Sequence, residues 1–267
     1  MESKVILITG VSSGFGLTTA KHLAAIGHKV YGSVRRKIDE IQGVGLVNMD
    51  VTDLISVREA INYVISRERR IDVLINNAGV GIAGSIEETS AEELDLQMKT
   101  NFTGTVYTTQ TVIPFMRQQN SGTIINISSI GGLMGLPFQG FYSASKFAVE
   151  GYSQALSLEV KPFKINVVIV NPGDFATQFT ANRKISATGN SSHYPFFKNA
   201  LKEIEKHEIA GLHPTAIAHK IAYIVSSQNP AFRYVVASPS QKLSVWLYKM
   251  MPYKMFAKIL EHYYNLR

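Results

Sequence analysis

Short runs rich in Val, Ile and Leu alternate with longer helical patterns through the first two-thirds of this chain. That alternation limits the possible fold more than any other feature. The runs are KVILIT (4–9), HKVYGSV (28–34), GLVNMD (45–50), IDVLINNAG (71–79), GTIINISS (122–129) and KINVVIVNPG (164–173). They are nearly continuous in apolar residues, the pattern of parallel strands covered on both faces. Helical patterns separate them: after Gly14, from about Asp53, over 90–118 with Ser90 and Glu93 as a capping box, and over about 141–160. Strand and helix in strict order predict an α/β fold, a single-domain Rossmann-type doubly wound parallel sheet flanked by helices.

The pattern changes after Pro172. Residues 174–197 are mixed polar and aromatic, and Gly189, Asn190, Ser191 and Ser192 cluster there, so the stretch reads as a long mobile segment. Helices are expected at about 198–209 and from Pro214 to Ser227, with a last strand at FRYVVA (232–237). The tail shows two helical patterns broken at Pro252. Leu243, Trp246, Leu247, Met250 and Met251 share one face; Met255, Phe256, Ile259, Leu260 and Tyr263 share another, opposite Lys254 and Lys258. Residues 1–240 are thus expected to form the domain, and 241–267 an amphipathic helical extension of it.

Charge and composition narrow the function. The net charge is +7, and residues 198–267 carry most of the surplus, ten Lys/Arg against four Asp/Glu. That surplus fits a solvated helix face, or an anionic partner. There are no cysteines, which excludes disulfides, thiolate catalysis and cysteine zinc sites. The first residues lack the long apolar region of a signal peptide, and no apolar run is long enough to span a bilayer, so a cytoplasmic protein is expected.

Thr9-Gly10-Val-Ser12-Ser-Gly14-Phe15-Gly16 lies between the first strand and the first helix. Small residues there let the backbone approach a pyrophosphate, and the helix start offers free N–H groups. The second strand ends at Val34 where NAD-binding enzymes usually place an acid, and Arg35 and Arg36 follow. A guanidinium suits a ribose 2′-phosphate, so NADP(H) is preferred over NAD(H). Asp50, ending the third strand, suits either the adenine amino group or a turn. Tyr142 and Lys146 stand four residues apart at the start of a helix, on one face. A cation there favours the phenolate and brings an otherwise weak acid–base group into range. Ser129 ends the preceding strand, on the carboxyl edge where ligands bind in such sheets. Asn101 lies inside a helix, where asparagine is a poor choice unless its amide bends the helix or holds a water.

The chain resembles the short-chain dehydrogenase/reductase family, closely over residues 4–177 and more loosely to about 237. The resemblance rests on TGVSSGFG (9–16), NNAG (76–79), Asn101, Ser129, YSASK (142–146) and NPGDFAT (171–177), in that order. VSSGFG, the KVYGSVRR strand and the tail are most similar to its hydroxysteroid and retinol dehydrogenase-like branch. The resemblance implies that Tyr142 exchanges a proton with the substrate oxygen, Ser129 polarises the carbonyl, Lys146 tunes Tyr142 and holds the nicotinamide ribose, and Asn101 holds a water. It implies Gly10, Ser12, Gly14, Phe15 and Gly16 at the pyrophosphate and Asn76, Ala78 and Gly79 at the adenosine ribose; Asp50 and Val51 are also expected among the cofactor-binding residues. Pro172, Gly173 and Thr177 would cover the nicotinamide, while Thr9 and Asn77 tie strands together. NADP-preferring members often carry a basic residue where this chain has Ser13, so the preference rests on Arg35 and Arg36.

The segment 174–213 stands where the family places its substrate lid. Phe175 and Phe179 there, with Met134, Leu136 and Phe138 upstream of Tyr142, suit a small apolar carbonyl or alcohol that is steroid-, retinoid- or lipid-like. The resemblance also implies a homodimer or homotetramer through the 90–118 and 141–160 helices. The tail pads the core or a subunit contact, or lays its basic face weakly on a membrane surface. Two other functions compete: an NADP(H)-binding sensor or scaffold without turnover, which has no need of Asn101, Ser129, Tyr142 and Lys146 together, and a nucleic-acid binder. No recognition module supports the latter, so no nucleic-acid partner is expected. No metal site is expected either.

Overall fold

In the computed structural model of the protein, residues 2–190 and 192–266 are described. The strands in chain order are β1 (Val5–Ile8), β2 (Lys29–Val34), β3 (Val44–Asn48), β4 (Val73–Asn76), β5 (Ile82–Ala83), β6 (Gly122–Ile127), β7 (Ile165–Pro172), β8 (Lys184–Ile185) and β9 (Arg233–Val236). The helices are α1 (Gly14–Ala25), α2 (Leu54–Glu68), α3 (Ala91–Met98), α4 (Gly104–Gln119), α5 (Gly140–Glu159), α6 (Gln178–Ala181), α7 (Phe197–Ile209), α8 (Thr215–Ser226), α9 (Pro239–Met250) and α10 (Tyr253–Tyr263).

Seven strands form one sheet in the order β3-β2-β1-β4-β6-β7-β9, every pair parallel. Successive side chains on a strand point to opposite faces. Ile6 and Ile8 of β1 therefore join Val73, Val168 and Val170 under α1 and α8. Val5 and Leu7 join Leu74, Ile124 and Val167 with the apolar residues of α2 and α4 on the other face. Two cores on one sheet explain why its strands read as continuous apolar runs. Strand order reverses direction between β1 and β4, and the crevice above their carboxyl ends is where ligands enter such sheets.

Three expectations need correction. The helix expected over 90–118 is three pieces: α3, a wider turn of π type at Lys99–Thr103, and α4. The π turn contains Asn101, whose amide bonds outside the helix, and such bulges relieve a residue that would otherwise compete with the ladder. The segment 174–197 is not structureless. It carries α6 and the strand β8, which pairs in parallel with β5, although Ser191 lies outside the described residues. Finally, α9 is rotated from its expected face, whereas α10 turns Phe256, Ile259, Leu260 and Tyr263 of its expected face inward and leaves Met255 outside. Val245 and Phe256 are buried against Met134, and Tyr264 against Ala200 and Ile204, while Leu243, Trp246, Met250 and Met255 are exposed.

Candidate active site

A cavity of about 380 Å³ opens above the switch between β1 and β4, from the glycine turn at one end to the tail helices at the other. At the first end the turn is shaped by conformation. Gly10 and Gly14 have φ of +71° and +57°, a region side chains disfavour. Both line the cavity with Ser12 and Phe15. Gly16 does not line it, contrary to expectation. A Cβ at Gly16 would fall 2.1 Å from the Gly10 carbonyl oxygen and 2.5 Å from Asn77 Nδ2, so this glycine lets α1 close onto the turn.

The turn is pinned from the neighbouring strand. Thr9 Oγ1 accepts from the backbone N–H of Asn77 at 2.9 Å and of Ala78 at 2.8 Å, and Asn77 Nδ2 donates to the carbonyls of Thr9 and Gly10, both at 2.9 Å. Ala78 and Gly79 line the cavity as expected, and so does Asn77. Asn76 does not. Its amide is buried under α4, donating to Thr109 and Asn126 and accepting from Thr108. The last residue of β4 points into the helix layer, and its successor lines the cavity in its place.

At the edge of the cavity Arg35 contributes to the lining beside Ser33 and Val34, whereas Arg36 is exposed and stands outside it. Asp50 and Val51 line the cavity as well. Asp50 Oδ1 also accepts from the N–H and hydroxyl of Thr52, which fits the turn reading of this residue.

The centre holds Ser129, Tyr142 and Lys146. The Ser129 hydroxyl is hydrogen-bonded to the Tyr142 phenol, and Ser129 Oγ accepts the N–H of Gly131 at 3.0 Å. Burial pushes the Tyr142 phenol up, with the Ser129 bond opposing it. Lys146 Nζ donates to the Ile127 carbonyl at 2.8 Å and stands 5.9 Å from the Tyr142 ring centroid. Burial brings Lys146 down to about 8, with Glu150 one turn further along α5 opposing. Glu150 is held in turn by Asn171 at 2.6 Å and Arg233 at 2.5 Å. Asn101 lies behind the cavity. Its amide accepts from Val80 N–H at 2.8 Å and donates to the Val80 carbonyl and to Ser145 Oγ.

Pro172, Gly173 and Thr177 line the cavity beyond Tyr142, followed by Met134, Leu136, Phe175 and Phe179. Phe138 does not. Its backbone is left-handed, with φ at +57°, and its ring packs against Tyr194, Phe196 and Phe197 beneath the lid. Its place is taken by residues that the sequence pattern assigned to padding. Phe256, Ile259, Leu260 and Tyr263 of α10 close the far end of the cavity. Their amphipathic spacing was visible, but no local signal tied that stripe to Tyr142, more than a hundred positions away. Asp174, Glu208 and Gln241 add polar atoms there.

The cradle fits a dinucleotide. It has two left-handed glycines, a close approach that no Cβ would permit at Gly16, and the start of a twelve-residue helix. Among the described residues no group of His, Cys, Asp and Glu is arranged to hold a metal ion.

Known proteins are similar to this chain in sequence and in fold. The model of the short chain dehydrogenase family matches residues 4–187. The 3-ketodihydrosphingosine reductase of Bacteroides thetaiotaomicron is 50% identical over 269 residues, covering 100% of both chains. Among solved structures, a short-chain dehydrogenase from Streptomyces avermitilis superposes with a TM-score of 0.84 at 30% identity, covering 98% of this chain and 96% of that one. A 3-ketoacyl-(acyl-carrier-protein) reductase from Brucella melitensis complexed with NADH gives 0.74 at 27% identity, covering 88% of this chain and 97% of that one.

Proposed function

This chain belongs to the short-chain dehydrogenase family and is an oxidoreductase of that type, and from that premise we propose that it is an NADPH-dependent reductase of a long-chain ketone. The observation that carries this reading is one cavity in which Ser129 and Tyr142 stand between a dinucleotide cradle and an apolar chamber closed by α10. An apolar chamber suits an alkyl chain. The relative of full coverage and 50% identity is named for such a ketone, 3-ketodihydrosphingosine, whose chemical structure places an amine beside the carbonyl.

A bound nicotinamide cofactor supplies the hydride that the carbonyl carbon accepts. Gly10, Ser12, Gly14 and Phe15 hold its pyrophosphate, Ala78, Gly79 and Asn77 its adenosine ribose, and Arg35 a 2′-phosphate. Pro172, Gly173 and Thr177 cover the ring. Ser129 donates a hydrogen bond to the substrate carbonyl oxygen, and Tyr142 gives that oxygen its proton, so an alcohol results. The Tyr142 phenol, raised by burial, holds its proton until charge develops on the oxygen it faces. Lys146, kept cationic below about pH 8, stabilises the phenolate left behind. Asn101 keeps the α3–α4 turn open behind Lys146.

The outer ridge of the tail supports delivery from a membrane surface. No helix among the described residues is long and apolar enough to cross one. Trp246, Met250 and Met255 are exposed, at 57%, 67% and 55%, beside exposed Lys242, Lys249, Lys254 and Lys258. The test of the function is NADPH oxidation with 3-ketodihydrosphingosine in mixed micelles. Turnover that Tyr142→Phe abolishes is expected; a silent wild-type enzyme that binds NADPH overturns the substrate assignment.

A further inference from the structure

The reaction above leaves a charged group in the apolar chamber without a task. Asp174 follows the Pro172-Gly173 turn at the end of β7, and Glu208 reaches in from α7; both line the cavity. Glu208 is neutralised locally. It is ion-paired with Arg183, whose side chain is 2% exposed, and accepts from Thr180 Oγ1 at 2.6 Å. Asp174 has no ion-pair partner among the described residues; its side-chain hydrogen bond is to Gln241. The titratable groups around it are Glu208, His207, Arg183, Tyr263 and Tyr264. Two carboxylates thus face one guanidinium and the His207 imidazole, in a cavity that Phe175, Phe179, Phe256, Ile259 and Leu260 also line.

A carboxylate in such a place is costly unless a cation joins it. Burial and the nearby Glu208 push Asp174 up to about 6, so it is still mostly ionised at neutral pH. The group is also close to the chemistry, since Glu208, Arg183 and Asp174 are the charges that act on the Tyr142 phenol. Arg183 completes the local order: its Nη1 is buried without a partner, and its guanidinium holds Glu208 beside the cavity wall.

We propose that Asp174, supported by Glu208, is a cation subsite that binds the ammonium of an amino ketone and thereby selects substrates with an amine beside the carbonyl. The proposal rests on the reductase reading of the same cavity. An ammonium there gains a charge-assisted hydrogen bond that a plain ketone lacks. It also sets the chain direction, with the polar head toward β7 and the alkyl chain along α10.

The experiment compares a short, water-soluble 2-amino-1-hydroxy-3-ketone with the same ketone lacking the amine. The ratio of kcat/KM for the pair is measured in wild type, Asp174→Asn and Asp174→Glu. Calorimetry then follows binding of the corresponding 2-amino-1,3-diol, and of the diol without the amine, to the cofactor-free protein. The wild type is expected to favour the amine about ten- to a hundredfold, a ratio that falls toward one in Asp174→Asn and returns in Asp174→Glu. A wild type indifferent to the amine in turnover or binding overturns the subsite while leaving the reductase intact, and so does an Asp174→Asn protein that keeps the full ratio. If neither ketone is reduced, the reductase reading fails, and the binding ratio alone decides the subsite. The wild-type ratios need no variant, so a protein damaged by substitution leaves the question answerable.

Discussion

Lys146 Nζ is bonded to the backbone carbonyl of Ile127 at 2.8 Å, so the ammonium one helical turn from Tyr142 is fixed by the sheet. Burial there brings Lys146 down to about 8, and Glu150, itself paired with Arg233, partly opposes the shift. A lowered lysine is charged below its pKa and neutral above it. Reduction should therefore run on a plateau at neutral pH and decline as pH rises through about 8. Lys146→Ala should cost about a hundredfold or more in kcat/KM and remove that alkaline limb. The pH profiles of the two proteins check this; an unchanged limb in the variant assigns it elsewhere.

Arg35 and Arg36 are neighbours in sequence with different prospects. Only Arg35 lines the cavity. Arg35→Ala should weaken NADPH binding about tenfold or more and leave NADH little changed, since a charge-assisted contact to a phosphate is lost. Arg36→Ala should have the smaller effect. Fluorescence titration with both cofactors measures all four affinities, and equal effects of the two variants would contradict the assignment.

Gly16→Ala should be destabilised although the residue does not line the cavity. Its new Cβ would meet backbone at 2.1 Å, so α1 must move off the glycine turn. Overpacking of this kind costs about 1–3 kcal/mol. Urea unfolding reads the loss, and the thermal shift produced by NADPH should shrink with it.

Trp246 is the chain's single tryptophan and lies on the exposed ridge of α9. Vesicles rich in phosphatidylglycerol should shift its emission to shorter wavelength, whereas phosphatidylcholine alone should do so weakly. Changing Lys242, Lys254 and Lys258 to Glu should abolish the shift. Emission that moves with protein concentration and ignores lipid would mark the ridge as a contact between copies of the chain.

The reading from sequence was strongest where function depends on neighbours in the chain. The glycine turn, the Tyr142–Lys146 spacing and the Ser90–Glu93 cap each act within a few residues, and the structure shows each of them locally formed. It was weaker where a side chain had two faces to choose between. Asn76 and Phe138 lie in the right segments but turn into the helix layer and beneath the lid.

The sequence by itself determined the parallel sheet, because strands covered on both faces must be apolar throughout. It also determined the order of the glycine turn and of the Tyr142–Lys146 pair, because turns and helix starts are built from local residues. Only the tertiary structure decided that α10 closes the cavity and that Asp174 enters it beside Glu208. Those contacts join elements distant in sequence, and an amphipathic stripe records that a helix face will be covered but not what will cover it.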